Sequence, residues 1–432
     1  MKILVLNGSP KGKNSVTLQT VNYIEKFFPE HEFSVLHVGQ RIKSIEKDFA
    51  PSAEALVAAD LILFCYPVYT FLVPSQLHRF IELMKEQGLD LSGRAAAQIS
   101  TSKHFYDVTA HRFIEDNCRD LGLNYIEGLS ADMDDLLSEK GQQDALAFFR
   151  FLEWKLVPQA ENPSKRGGRI ALVTDAAPED EELQAMITRF AARSLRSVDV
   201  INIQAFPFDG GCLGCFHCAA DGTCVYKDGF DSFLREHIQT ANAIVYAYRI
   251  KDHSMGSRFK IYDDRQFCNG HRTVTMGKPV AYLVAGDLSA EPNLRMLMEA
   301  RSQVGGNYLA GIAVSTESPQ KIDQTADTME YAIENGFELP KNFYGVGGLK
   351  IFRDLIYQMQ GLMREDHLFY KAHGFYDDFP QKKKGRIAAM YLVGGMMKNK
   401  KLQKKIGGKM TEGMMLPYKK LLEKVEKEQK KS

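Results

Sequence analysis

Cysteine and tryptophan are scarce in this sequence. Its 432 residues include one Trp and seven Cys, and seven cysteines are too few for the disulfide scaffold of a secreted domain. Four of them nevertheless fall within thirteen positions, from Cys212 to Cys224. This cluster therefore needs an explanation of its own.

Long apolar runs are missing as well. The longest nearly apolar stretch, residues 387–397, is about half as long as a helix that crosses a bilayer. The first residues do not follow the charged, apolar and small-residue order of a signal peptide, because Lys2 leads directly into a short β-like run. We therefore expect a cytoplasmic protein with no transmembrane helix.

The sequence has almost no net charge, but its charges are segregated. The formal net charge is +1, whereas residues 381–432 carry 16 Lys or Arg against 4 Asp or Glu. This basic tail fits either a solvated lysine-rich face or contact with an anionic membrane surface. Only Tyr391 and Tyr418 stand as aromatic residues among its lysines, so we expect no nucleic-acid partner.

Strand-like and helix-like patterns alternate along the first 340 residues, in the order typical of a parallel sheet covered by helices. A polar stretch with glycine and proline, residues 162–168, separates two such series. The sequence predicts an α/β fold with two tandem, doubly wound parallel sheets. The predicted divisions are 1–161, 169–340 and a helical, lysine-rich C-terminal extension at 341–432.

A loop of small residues joins the first predicted strand to the first predicted helix. It reads Asn7-Gly-Ser-Pro-Lys-Gly-Lys-Asn-Ser-Val-Thr17. Amide groups at a helix N-terminus lack internal acceptors and lie at the positive end of the dipole, and Ser and Thr add hydroxyl donors. The P-loop and G-x-G-x-x-G patterns are both missing, which argues against ATP or a Rossmann-bound dinucleotide. The loop predicts a phosphate monoester site, with a capped turn that binds nothing as the alternative.

A second motif follows the next predicted central strand, in Cys65-Tyr-Pro-Val-Tyr-Thr-Phe-Leu-Val-Pro-Ser-Gln-Leu77. Together, N-G-S-P-K…S-x-T and P-V-Y-x-x-x-x-P-x-x-L resemble the NADPH-dependent FMN reductase and iron–sulfur flavoprotein branch of the flavodoxin-like superfamily, over roughly residues 1–130. The resemblance implies a flavodoxin-like fold with FMN as cofactor. It implies phosphate contacts from Ser9, Lys11, Ser15, Val16 and Thr17, and flavin-ring contacts from Pro67, Val68 and Tyr69.

A third loop, Ser100-Thr-Ser-Lys-His104, follows the next strand. All three loops come after strand C-termini, where open α/β sheets bind ligands. By the resemblance, Ser100, Thr101 and Ser102 also contact the cofactor. The glycines that the family often carries in this loop are missing here.

The cysteine cluster has the spacing C-x2-C-x2-C-x5-C, formed by Cys212, Cys215, Cys218 and Cys224. Compact spacing of this kind serves cubane iron–sulfur clusters, and it resembles the motif of iron–sulfur flavoproteins. The pattern predicts a [4Fe-4S] cluster. Zinc is a rival, although zinc ribbons separate their cysteine pairs by more residues, and a loop without metal is a further alternative.

The two halves keep complementary features. Where the family carries its cysteines, between Val38 and Ala59, the first half has none. The second half has the acidic run Asp175-Ala-Ala-Pro-Glu-Asp-Glu-Glu182 in place of a phosphate loop and reads Ala247-Tyr-Arg-Ile250 in place of Pro-Val-Tyr. We therefore expect a tandem fusion acting as an intrachain pseudo-dimer, with one FMN and one cluster. The alternative is that the second half merely packs against the first.

The expected function is that of an FMN-dependent oxidoreductase, with electron transfer from NAD(P)H through the flavin, and through the cluster where it exists, to an unidentified acceptor. No catalytic acid or base is expected, because the cofactor carries the chemistry. One alternative is a flavodoxin-like carrier that reacts only with partner proteins. Another is a non-enzymatic protein with vestigial loops. Removal of residues 381–432 is expected to leave the flavin spectrum intact.

Overall fold

The computed structural model describes residues 1–157, 164–397 and 400–430. The chain divides into two compact units, of which the first comprises Met1–Pro158 with Pro380–Ser432 and the second comprises Gln159–Phe379. The segment expected to form one C-terminal extension is thus divided between the units at Pro380. Part of the predicted boundary stretch, residues 162 and 163, lies outside the described residues.

The first unit is built on a parallel sheet with the strand order β2-β1-β3-β4-β5, in which β6 also pairs with β4. Leu61 to Tyr66 of the central strand are at most 1% exposed, as expected for a strand covered by helices on both faces. Its strands are β1 (Lys2–Asn7), β2 (Glu32–Leu36), β3 (Leu61–Pro67), β4 (Ala95–Ser102), β5 (Asn124–Tyr125) and β6 (Leu129–Asp132). Its N-terminal helices are α1 (Val16–Phe27), α2 (Val38–Ile45), α3 (Ala50–Ala58), α4 (Ser75–Glu86), α5 (Asp107–Asp120) and α6 (Glu139–Leu156).

The second unit repeats this topology. Its parallel strands are β7 (Arg169–Thr174), β8 (Ser197–Asn202), β9 (Ala243–Arg249), β10 (Pro279–Ala285) and β11 (Tyr308–Val314). Their order is β11-β10-β9-β7-β8, so both sheets have the flavodoxin-like order 2-1-3-4-5. Its helices are α7 (Glu181–Arg193), α8 (His217–Asp221), α9 (Phe230–Phe233), α10 (Gly256–Arg265), α11 (Pro292–Gly305), α12 (Gln320–Asn335), α13 (Phe343–Gln358) and α14 (Arg364–Ala372).

The chain ends in two further helices, α15 (Lys384–Met397) and α16 (Lys400–Gln429). Two parallel α/β sheets followed by a helical C-terminal region confirm the predicted fold class. Across the described part of the chain, no helix combines the length and the hydropathy that crossing a bilayer requires. Many lysines of the basic tail lie in residues 393–411, whose side chains are outside the described part.

Candidate functional site

The carboxyl ends of β1, β3 and β4 border one cleft in the first unit. Its volume of about 360 Å³ lies in the range of small-molecule sites. Nine of the eleven residues predicted to bind the cofactor line it: Ser9, Lys11, Ser15, Val16, Pro67, Val68, Tyr69, Thr101 and Ser102. The other two, Thr17 and Ser100, are fully buried.

The loop after β1 is fixed by the side chain of Asn7. Its Nδ2 donates to the carbonyl of Gly12 at 2.9 Å, and its Oδ1 accepts from the amide of Ser9 at 3.2 Å. The turn requires a positive φ of 54° at Gly12, which glycine adopts without steric cost. A Cβ atom on Gly39 would lie 2.3 Å from the Ser9 carbonyl. The hydrogen bonds of Asn7 and the close packing of Gly39 therefore fix the conformation of this loop.

Helix α1 presents its N-terminus to this cleft. Ser15 is the N-cap residue, and its hydroxyl accepts from the amide of Leu18 at 3.4 Å. The amides of Val16 and Thr17, in the first turn, have no acceptor within the helix. Lys11 and Lys103 are the two cationic residues among those that line the described cleft, and none of these is acidic. This edge of the cleft suits an anion such as a phosphate.

Thr17 and Ser100 are buried behind the cleft and do not line it. The Oγ1 atoms of Thr17 and Thr101 lie 2.6 Å apart, so one hydrogen bond joins helix α1 to the end of β4. The hydroxyl of Ser100 lies 2.8 Å from Nε2 of His111. Thr17 thus positions Thr101, which lines the cleft, whereas Ser100 contacts His111 behind it.

The loop after β3 forms a tight turn with unusual backbone angles. Tyr69 and Leu72 exchange backbone hydrogen bonds of 2.8 and 3.1 Å, while Thr70 and Phe71 between them have φ of 48° and 72°. Left-handed backbone costs an ordinary residue about 1–2 kcal/mol, and strain of this kind clusters at ligand sites. The turn holds Pro67 to Phe71 along one side of the cleft.

The loop after β4 reaches a similar conformation without glycine. His104 and Tyr106 have φ of 61° and 54°. His104 is pinned on both sides: its amide donates to Ser102 Oγ at 2.8 Å, and its Nδ1 lies 2.9 Å from Oδ2 of the buried Asp107. Side-chain hydrogen bonds therefore stabilise the left-handed backbone at His104 without glycine.

Five residues that line the cleft were not predicted from the sequence: Thr70, Phe71, Lys103, Phe105 and Met133. Thr70 and Lys103 directly adjoin predicted residues, and Phe71 and Phe105 follow two and three positions after one. This nearness in sequence was the available signal. Met133 follows β6, and no motif marks it. Lys103 forms ion pairs with Asp132 and Asp134; partial burial lowers the pKa of Lys103, but these carboxylates outweigh that effect and raise it overall.

Three aromatic rings stand together at the mouth of the cleft. Phe71, Phe105 and Tyr106 have ring centroids 5.0–5.4 Å apart and are between 42% and 60% exposed. The two strained loops supply these rings, and Thr109 Oγ1 donates to the Phe71 carbonyl across them. The cleft thus has a polar end at α1 and an apolar, aromatic rim opposite.

His111 makes the stability of the first unit depend on pH. Burial lowers the pKa of His111 to about 4, against about 6.5 in an unfolded chain. Between these values the unfolded chain binds a proton that the folded chain excludes, so the free energy of unfolding falls as pH falls. We expect a loss of about 2 kcal/mol from His111 between pH 7 and 4.5. Urea unfolding at both pH values should give a smaller loss for His111→Gln, and an equal loss in both proteins would contradict this assignment.

The second unit keeps the strained turn of the first at the corresponding place. After β9, Lys251 and Ser254 exchange backbone hydrogen bonds of 2.8 and 2.9 Å, and Asp252 and His253 between them have φ of 47° and 62°. Counting from the strand ends, Arg249-Ile250-Lys251 corresponds to Pro67-Val68-Tyr69. The expected counterpart at 247–250 was therefore placed two residues too early.

Ion pairs occupy the N-terminus of α7, which corresponds in the second unit to the N-terminus of α1. Asp180 is the N-cap of α7 and accepts from the amide of Leu183 at 3.2 Å. Arg249, at the end of β9, donates to Asp180 at 2.8 and 2.6 Å and to Glu182 at 2.7 Å. A carboxylate that caps the helix would repel a bound phosphate. In the second unit, ion pairs therefore occupy the helix N-terminus, whereas in the first unit the corresponding N-terminus borders an open cleft.

The four clustered cysteines lie between β8 and α9, and Cys218 belongs to the short helix α8. Cys212 and Cys215 are exposed, and Cys218 and Cys224 are half-buried. Among the described residues, no three of their sulfur atoms lie within 4.8 Å of one another. A single zinc ion, with Zn–S bonds of about 2.3 Å, needs a tighter set. A cubane holds its thiolates further apart because each binds a different iron.

Arginines hold this cysteine loop in place. Arg265 is 1% exposed; its Nη1 donates to the carbonyl of Gly210 at 3.0 Å, and both Nη atoms donate to Asp228 at 2.6 and 2.8 Å. This guanidinium lowers the pKa of Asp228 to about 2. Arg272 donates to the Cys218 carbonyl at 3.2 Å, and Arg265 Nη2 lies 3.9 Å from Cys224 Sγ. Two ion-paired arginines thus contact the segment that carries Cys218 and Cys224.

We compared the chain with curated proteins, solved structures and family models. No curated protein matches the chain. Similar solved structures include an FMN-dependent NADH-azoreductase from Bacillus anthracis in complex with FMN, with 13% identity and a TM-score of 0.29, covering 36% of this chain and 99% of the other. An NAD(P)H:quinone oxidoreductase from Methanothermobacter marburgensis shows 12% identity and a TM-score of 0.30, covering 38% and 99%.

A family model gives a more specific match. The model described as NADPH-dependent FMN reductase matches residues 1–111, which contain β1, β3, β4 and the three loops that border the cleft. The remainder of the chain lies outside this match. The resemblance of the first unit to NADPH-dependent FMN reductases is confirmed over that range.

Proposed function

We propose that the first unit binds FMN and that the chain is an oxidoreductase, with electrons passing from NAD(P)H through the flavin to an acceptor. The observation that carries the proposal is the cleft itself. It joins an anion-binding helix N-terminus to an apolar edge at three strand ends, within the range of the FMN reductase match. A ligand that combines a phosphate monoester with a large planar ring needs an anion-binding end for the phosphate and an apolar end for the ring.

The residues of the cleft divide between the two ends of such a ligand. Ser9, Ser15 and the first amides of α1 would hold the phosphate. The strained turn at Pro67 to Phe71 and the end of β4 would hold the ring, with Thr17 and Thr101 fixing the distance between the two ends. The dinucleotide fingerprints are missing from this loop, which favours FMN over FAD.

When bound, FMN supplies reversible hydride acceptance, so the protein has to bind, orient and shield it. The two strained loops would hold the flavin ring in a fixed orientation, so that a nicotinamide could stack on its face. Lys103, which lines the cleft, has its charge paired with Asp132 and Asp134. We assign no side-chain acid or base, because the cofactor carries the chemistry.

For the second unit we propose a [4Fe-4S] cluster bound by Cys212, Cys215, Cys218 and Cys224. The compact spacing of the four cysteines supports it. Arg265 and Arg272, each paired with an aspartate, fix the segment that carries them. The cluster would serve one-electron transfer to acceptors.

We further propose that the two units are a tandem pair derived from one flavodoxin-like domain. The shared strand order and the shared strained turn, Thr70 and Phe71 against Asp252 and His253, support this. A non-glycine turn of two left-handed residues is uncommon, so its repetition at matching positions favours common descent. On this proposal the second unit lost its phosphate position to Arg249 and Asp180 and kept the cysteine loop.

Steady-state oxidation of NADH and of NADPH, each with quinone, ferricyanide or oxygen as acceptor, tests the activity. We expect turnover that depends on added or bound FMN. An FMN-loaded protein that exchanges electrons with reduced carrier proteins but oxidises neither nucleotide would instead support the carrier alternative. Preparations without FMN provide the matched control.

A further inference from the structure

The C-terminal part of α16 returns to the first unit and is buried against it. Met415, Tyr418 and Val425 are 2–6% exposed and pack in one cluster with Tyr23 of α1 and Leu136. At the end of the helix, Lys26 pairs with Glu426, and Gln429 Nε2 donates to the Lys26 carbonyl at 2.6 Å. This helix is therefore an integral part of the unit that contains the cleft.

Two walls of the cleft contact this helix. Val16, which lines the cleft at the start of α1, packs against the cluster around Met415 and Tyr418. On the other side, Tyr418 OH donates to the Met133 carbonyl at 2.6 Å, and the Met133 amide donates to the Ser102 carbonyl at 3.1 Å. Met133 and Ser102 both line the cleft. Tyr418 is thus connected to the cleft through one residue, Met133.

We propose that Tyr418 is a positioning residue for the FMN site and that docking of α16 is coupled to FMN binding. By contacting both residues, the helix fixes the distance between the phosphate end of the cleft, at Val16, and the side of the cleft that Met133 lines. This inference rests on the proposed FMN binding in the first unit. It also revises the expectation for the tail: loss of residues 381–432 would remove α16 and weaken the site.

The hydroxyl of Tyr418 is suited to this task. It is buried, and burial raises the pKa of Tyr418 to about 12, so it remains a neutral donor to Met133 across the working pH range. Without it, the Met133 carbonyl loses its partner and the loop after β6 is free to shift. A shift there widens the cleft and lowers ligand affinity, because a preorganised site has less to order on binding.

The first test compares the FMN dissociation constants of wild type, Tyr418→Phe and Lys424→Ala, measured by flavin fluorescence quenching on the full chain. We expect Tyr418→Phe to raise the dissociation constant about 5- to 10-fold. Lys424, also on α16, has a side chain that is 72% exposed, so Lys424→Ala should leave the constant unchanged. Melting temperatures without FMN show whether the loss is one of general stability.

The second test uses reciprocity, since coupled sites affect one another equally. Saturating FMN should slow hydrogen exchange of amides 413–430 in wild type and slow it less in Tyr418→Phe. Wild type that binds FMN while Tyr418→Phe shows the same constant, with exchange in α16 unaffected by FMN, would overturn the inference and leave the proposed function standing. Wild type that fails to bind FMN would overturn both.

Discussion

Ser15→Asp should lower the affinity for FMN about 100-fold while preserving the fold of the first unit. Asp is as good an N-cap as Ser, so α1 keeps its start. A carboxylate facing the phosphate adds repulsion of about 3 kcal/mol, which corresponds to roughly a 100-fold change. The second unit already shows this arrangement in Asp180, the N-cap of α7. Flavin titration by fluorescence quenching measures the change.

Two control variants separate charge from capping. Ser15→Asn keeps a neutral cap and should lower affinity far less than Ser15→Asp does. Asp180→Ser changes the cap of α7 in the second unit and should leave FMN binding unaffected. Equal affinity of wild type and Ser15→Asp would remove the N-terminus of α1 from the phosphate site.

Cys215→Ala should remove iron and sulfide from the protein and leave FMN bound, because the two sets of residues belong to different units. The variant should still oxidise NAD(P)H, since that step needs only the flavin. It should pass electrons slowly to one-electron acceptors that use the cluster. Iron, sulfide and flavin analysis of anaerobically prepared protein, combined with acceptor-dependent kinetics, measures each effect.

Cys268→Ala is the matched control for the cysteine loop. Cys268 is 3% exposed, and burial raises its pKa to about 12, so it remains a neutral thiol outside the proposed ligand set. We expect this variant to retain its iron. Anaerobic wild type that contains FMN but no iron would eliminate the cluster and leave a simple flavin reductase.

Much of this architecture could be read from local sequence patterns. The buried runs at 2–7 and 61–66 are strands because a continuous apolar segment of that length suits a sheet covered on both faces. The loops after these strands stood out because turn and cap residues are local signals. The cleft therefore lies near the motifs that predicted it.

Other features depend on contacts between distant parts of the chain. Met133 and Tyr418 are 285 positions apart, and no local pattern pairs a tyrosine with that carbonyl. Ser100 looked equivalent to Thr101, but it lies deeper in β4 and its hydroxyl contacts His111. The third loop lacks glycine, and hydrogen bonds to Ser102 and Asp107 hold His104 in a left-handed conformation that no local pattern marks.

The central claim is that the first unit binds FMN, and the visible absorbance spectrum of anaerobically purified protein tests it most directly. We expect the two visible bands of a bound flavin, and release of one FMN per chain on denaturation, identified by chromatography. A colourless protein that also fails to bind added FMN, or one that releases FAD, would contradict the account.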